Sequence, residues 1–276
     1  MSAAVLARRG LLALPALALL PRGTGAAVSP GAGGLSQGGF VTGGAMPGTR
    51  MVLDGRMVRV GPGGEFAFGF GRNHGPVAML TVTSPDGRAE MQRLTIAPRE
   101  WDVQRITGLP PAQVTPDART LARIKAERAR LVAARATDST LIGFARGFVW
   151  PVRGRISGVF GSQRILNGKP RQPHYGLDVA APTGTPVHAA AEGTVTLAAH
   201  FFFFGKLVVL DHGHGVNTLY AHLSALDATE GETVAAGQRL GAVGATGRVT
   251  GPHLHFGLSW YDTWLDPQPV LPVAGS

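Results

Sequence analysis

The 276-residue chain contains no cysteine. That absence excludes disulfides, zinc sites built on thiolates, a thiol nucleophile and an anchor through a lipidated cysteine. Tyrosine and tryptophan are scarce, at three and four residues, too few for the exposed aromatic platforms expected of a carbohydrate-binding module. Acidic residues are missing from the first 27 positions, where Arg8 and Arg9 precede an apolar stretch from Gly10 to Leu20 and small residues follow Arg22. This is the layout of a secretory signal peptide over residues 1–27, with cleavage expected near Ala26 or Ala27. The apolar stretch is too short to span a bilayer comfortably, and no later run is long enough for a transmembrane helix, so no stable transmembrane anchor is expected. The Arg8-Arg9 pair is a feature of twin-arginine signals, but general secretion is the expected route. Export without disulfides points to a bacterial envelope.

The net charge of +9 is unevenly placed. Residues 1–27 hold three arginines and no acid, which leaves +6; from Pro151 to the end eight basic residues balance eight acidic ones, so the whole excess lies between residues 28 and 150. Four of those six units fall between Asp117 and Arg135. For an exported chain this excludes nucleic acid as the natural partner and favours an anionic envelope polymer or membrane surface.

Residues 28–100 read as a small β-rich N-terminal domain: a glycine-rich start, then short β-favouring runs separated by Asp54-Gly55, Pro62-Gly63-Gly64 and Asp86-Gly87, ending near Ile96. Residues 101–149 form a linker with a helix near 117–136, in which Leu121, Ile124, Leu131 and Val132 fall near one face and Asp117 favours the N-terminus. From residue 150 to 276 helix signals nearly vanish. "GTVTLAA", "KLVVLDHG", "VNTLYAHL" and "HLHFGLSW" are strand-like and bounded by glycine-rich turns, so this domain is mainly antiparallel β. The run "HFFFF" must point alternate rings to opposite faces, sending some toward a groove or a neighbouring domain.

Eight of the nine histidines lie between residues 174 and 255. Three short signatures emerge among them: "HYGLD" with His174 and Asp178, "YAH" with His222, and "HLH" with His253 and His255. On a strand, His253 and His255 project to one face and Leu254 to the other. Without thiolates, zinc takes imidazoles and carboxylates, three of them in a catalytic site. Four histidines and one aspartate compete for those three places, leaving two histidines for proton transfer in a chain that lacks an HExxH glutamate. His188, His200, His212, His214 and His74 are expected to be structural or solvent-facing.

Across residues 151–260, "GLDVAAPTGTPVHAAAEGTV", "GHGVNTLYAHLS" and "ETVAAGQRLGAVGATGRVTGPHLHF" follow in order and spacing the pattern of the lysostaphin-like, LytM-type zinc metallopeptidases. The chain therefore resembles a family of peptidoglycan endopeptidases. The resemblance implies a lysostaphin-like antiparallel β catalytic domain, one zinc ion per chain held by His174, Asp178 and His255, and catalytic roles for His222 and His253. It implies hydrolysis of peptide cross-links in peptidoglycan stem peptides by a metal-activated water, in the periplasm of a Gram-negative bacterium. Arg164, shortly before His174, is a candidate for binding a substrate carboxylate. The rival expectation is a non-catalytic peptidoglycan-binding activator of a cell-wall amidase; such relatives lack some of the five residues, all of which are present here.

Overall fold

The computed structural model describes residues 26–29, 34–108 and 115–273. Most of the expected signal peptide, up to residue 25, lies outside the described residues, and among these no helix is long and apolar enough to cross a membrane. The architecture is mainly antiparallel β, as the sequence predicts. The first half carries β1 (Ala26–Ser29), β2 (Phe40–Ala45), β3 (Arg50–Leu53), β4 (Arg56–Val58), β5 (Glu65–Gly69), β6 (Val77–Thr83) and β7 (Ala89–Thr95). They make two antiparallel sheets, ordered β1-β2-β5 and β4-β3-β6-β7. Asp54 and Gly55 join β3 to β4 with φ of 46° and 82°, the left-handed pair that a two-residue hairpin turn requires.

Three elements come from residues 101–149: β8 (Val103–Ile106), helix α1 (Ala118–Arg135) and a short 3-10 helix (Gly143–Arg146). The Asp117 side chain accepts the Thr120 N–H at 2.7 Å and so caps the helix. The buried face differs from the expected one. Leu121 and Val132 stay about half exposed, at 52% and 49%, while Leu131, Ala134 and Arg135 are buried. The apolar contact of the helix with the second half lies in its last turns, where Leu131 and Ala134 join Leu197, Phe201, Leu207 and Val209. The Arg135 guanidinium lies 3.6 Å from the centre of the Trp264 ring and donates to Ser259 Oγ and the Tyr261 carbonyl, which compensates a buried charge.

The second half contains β9 (Arg155–Gly158), β10 (Gln163–Leu166), β11 (Lys169–Pro170), β12 (Leu177–Ala180), β13 (Pro186–His188), β14 (Gly193–Phe201), β15 (Gly205–Asp211), β16 (Val216–Leu226), β17 (Thr233–Val234), β18 (Arg239–Val243), β19 (His253–Trp260) and β20 (Thr263–Leu265). Ten of these build one sheet whose main path runs β17-β14-β15-β16-β19-β12-β9; β18 pairs with β13 and β16, and β20 with β19. β8 pairs in parallel with β10, and β11 completes that small sheet. The stretch expected as a linker thus contributes a strand beside the second half.

One apolar cluster runs through both halves, from Phe40, Phe66 and Phe68 to Val187, Tyr220, Phe256 and Leu265. Phe40 meets Phe148 edge-on at 6.1 Å. A Cβ at Gly69 would fall 2.5 Å from Leu265, so the glycine permits this close approach. The phenylalanine run does not alternate as expected, because only Phe201 lies on β14 and residues 202–204 form the turn into β15: Phe201 is buried against α1, Phe203 lies beneath the Arg248 guanidinium at 4.1 Å, and Phe204 stands 6.0 Å from the ring of His255.

Candidate metal centre and its histidines

Strand register brings the residues together. β12 and β19 are antiparallel neighbours with Asp178 opposite His255 and Ala180 opposite His253, so the two histidines share the face that carries the aspartate. His255 Nδ1 lies 2.8 Å from Asp178 Oδ1, and His253 Nε2 lies 3.9 Å from the same oxygen. His174 arrives from the loop before β12, fixed by backbone hydrogen bonds from its N–H to the Ser162 carbonyl and from the Gly161 N–H to its own carbonyl. Its Nε2 is 2.9 Å from Asp178 Oδ1 and 3.0 Å from His255 Nδ1. Gly176 leaves room for this packing, since a Cβ there would sit 2.5 Å from His255 Cε1.

His222 reaches the same face by another route. Its neighbour Ala221 pairs with His255 across β16 and β19, so strict alternation would turn His222 away from the site. The pairing of β15 with β16 slips here: Val208 opposes Tyr220 and Lys206 opposes Leu223, which leaves one extra residue in β16. His222 sits in this bulge with φ of 66°, and the bulge re-aims its ring to 4.9 Å from His253 and 5.9 Å from His255.

Backbone carbonyls set the tautomers. The Nδ1–H of His174 donates to Val159 O, that of His222 to Thr246 O and that of His253 to Gly251 O, each at 2.9 Å. A carbonyl can only accept, so each of these rings keeps Nε2 as a bare lone pair. Burial pushes His255 down to about 4, although its hydrogen bond and attraction to Asp178 oppose the shift. Burial, reinforced by repulsion from His255 and His253, pushes His222 down to about 3. Burial alone would raise Asp178, but its close contacts with His174 and His255 prevail and hold its carboxyl well below the usual range. At neutral pH Asp178 is therefore an ionised carboxylate, and His222 and His255 are neutral imidazoles.

Ligand atoms of His174, Asp178 and His255 all lie within 4.8 Å of one another and are buried, the only such group of potential metal ligands among the described residues. Two imidazole nitrogens and one carboxylate oxygen, pre-aligned by outer hydrogen bonds, are a donor set suited to zinc. The structure places His222 and His253 at the edge of this group. Arg164, on β10, points its Nη2 at Asp178 Oδ2 from 3.1 Å. The carbonyls of Val159, Thr246 and Gly251 escaped sequence reasoning, because a backbone acceptor has no residue-type signature. His212 and His214 are buried in and beside the β15–β16 turn, where they pack against Phe148 and Phe144.

The pattern of peptidase family M23 matches residues 172–267. A DD-carboxypeptidase/endopeptidase, Mpg, of Neisseria meningitidis serogroup B is 45% identical over 120 residues, covering 44% of this chain and 26% of that protein. The peptidoglycan DD-endopeptidase ShyA of Vibrio cholerae is 44% identical over 105 residues, covering 38% of this chain and 24% of that protein. The match thus spans about a quarter of the length of these curated relatives. A crystal structure of a putative peptidase M23 from Pseudomonas aeruginosa superposes with a TM-score of 0.68 at 31% identity, covering 86% of this chain and 94% of that one.

Proposed function

The chain belongs to peptidase family M23, and from that premise we propose that it is an exported zinc endopeptidase hydrolysing peptide cross-links of bacterial peptidoglycan. The observation that carries this reading is the convergence of His174, Asp178 and His255, with His222 and His253 beside them and each with a free Nε2. Relatives named as peptidoglycan DD-endopeptidases support the substrate class, and a substrate of that class supports an extracytoplasmic location, the periplasm of a Gram-negative cell.

In this reading His174 through Nε2, Asp178 through Oδ1 and His255 through Nδ1 hold one zinc ion per chain. Zinc bound there supplies Lewis acidity toward a water and toward the scissile carbonyl. His222 and His253 position the attacking water, hydrogen-bond the oxygen on which charge develops and carry a proton to the departing amine. Their Nδ1 contacts to Thr246 and Gly251 keep the working nitrogens aimed inward. Phe204 walls the site beside His255. Residues 150–276 then form the catalytic domain, preceded by the β-rich domain of residues 28–100 and the linker that carries α1.

Purified, zinc-loaded protein should convert D-alanyl-diaminopimelate cross-linked muropeptide dimers into monomers, and a chelator should stop the reaction. Survival of the dimers together with cleavage of pentaglycine would refute the assigned bond. Survival of both, with stimulation of a separate amidase, would replace the enzymatic reading with an activating one.

A further inference from the structure

We infer that Arg164 is a positioning residue of the metal centre, locked onto the outer oxygen of Asp178 and held there by Gln104 from the first half of the chain. The inference rests on the zinc reading above.

Asp178 divides its two oxygens between different tasks. Oδ1 faces His174 and His255, whereas Oδ2 accepts from Arg164 Nη2 at 3.1 Å. A carboxylate with one oxygen tied in this way presents the other to a metal as a single ligand and resists rotation about its last torsion. The Asp178 side chain is nearly buried, and the guanidinium beside it, itself only 23% exposed, offsets the cost of holding that charge away from water. Gly158 makes the approach possible: a Cβ there would lie 2.7 Å from Oδ2.

Arg164 is itself gripped. Its Nε donates to Gln104 Oε1 at 3.3 Å, and the parallel pairing of β8 with β10 sets Gln104 directly against Arg164. The planar guanidinium thus serves two acceptors on different strands at once, which an ammonium group cannot do with the same geometry.

A second contact from the same segment acts on the other side of the site. Trp101 meets Phe160 edge-on at 5.8 Å and occupies the space a side chain at Gly161 would need. Arg72 and Arg99 lie 5.1 and 4.6 Å from the same indole, and Arg72 Nε donates to the Gly161 carbonyl at 2.6 Å. This turn carries Val159, whose carbonyl orients His174. The outer contacts of both His174 and Asp178 therefore lie on β10 and in the turn that leads into it from β9, a stretch clasped by residues that precede the catalytic domain. Arg164 is accordingly occupied by Asp178, a different task from the substrate carboxylate its place in the sequence suggests.

The test compares wild type with Arg164→Met, Arg164→Lys and Gln104→Ala by competition for zinc against a chromophoric chelator, alongside the visible spectrum of the cobalt-substituted protein. Loss of an outer contact to a metal ligand typically lowers affinity about 10- to 100-fold, and Arg164→Met should fall in that range. Arg164→Lys should recover only part of the loss, Gln104→Ala should show a smaller loss in the same direction, and the cobalt bands should shift in each. Metal-free thermal unfolding identifies a variant that has simply failed to fold, and Gln104→Ala, at a part-buried contact outside the centre, then carries the test. Wild-type affinity and spectrum in all three variants, with KM for muropeptide raised in Arg164→Met, would overturn the inference in favour of substrate binding. Wild-type protein that takes up no zinc would overturn the zinc reading itself.

Discussion

Lowering the pH should destabilise the fold through His212, a histidine remote from the metal centre. Its Nδ1 lies 2.7 Å from the Glu192 carbonyl, which can only accept, so Nδ1 carries the proton. Nε2 is then bare and accepts from the Thr218 hydroxyl at 2.7 Å. Thr218 Oγ1 in turn lies 3.0 Å from Tyr220 Oη, which also receives the Ala190 N–H at 2.8 Å. The network is complete with a neutral ring. Burial, only partly opposed by the Glu192 contact, pushes His212 down to about 4 from its ordinary 6.5. Between those values the unfolded chain binds the extra proton and the folded one does not, so stability is full above pH 6.5 and is lost as pH falls toward 4. Linkage over that interval gives a loss of about 2 kcal/mol between pH 7 and pH 5, and about 3 kcal/mol once pH falls below 4. Urea unfolding of wild type and His212→Gln at pH 7 and pH 5 isolates the effect, because the other titrating groups cancel in the difference of slopes. Gln should lower stability at pH 7 and flatten the pH dependence by about 2 kcal/mol. Equal slopes in the two proteins, or an imidazole that titrates near 6.5 in the folded state by NMR, would refute the reasoning.

Two further outcomes follow from the geometry. His255→Ala or Asp178→Asn should abolish stable zinc binding together with activity, whereas His222→Ala or His253→Ala should keep metal near one ion per chain and lose about 100-fold or more in rate; metal analysis beside muropeptide cleavage separates the classes, and an empty site in His253→Ala with a filled one in His255→Ala would reverse the roles within "HLH". Gly161→Ala should lower stability by more than the roughly 1–2 kcal/mol of left-handed backbone strain, because φ there is 86° and Trp101 occupies the Cβ position; an unfolding midpoint equal to wild type would refute it.

The ease with which each feature was read from sequence follows the range of the interaction that creates it. "HLH" discloses its geometry because strand alternation is local, and the two rings share a face as the period of two requires. The start of α1 was legible for the same reason, since Asp117 caps it from three residues away. Its buried face was not, because the sheet packs against Leu131 and Ala134 and leaves Leu121 and Val132 about half exposed. His222 is the sharper case. The motif "YAH" marks it as chemically interesting, yet alternation alone would send its ring away from His255; one extra residue in β16, defined by its pairing with β15, turns it back. Arg164 stands further still from local rules, for its partners Gln104 and Asp178 lie 60 and 14 positions away and meet it only once β8, β10 and β12 are assembled. Residue chemistry therefore picks out the candidate ligands, whereas long-range strand pairing supplies the contacts around them. Through Gln104 and Arg164, a strand from residues 101–149 thus reaches the candidate centre at Asp178 without itself belonging to the His174–Asp178–His255 group.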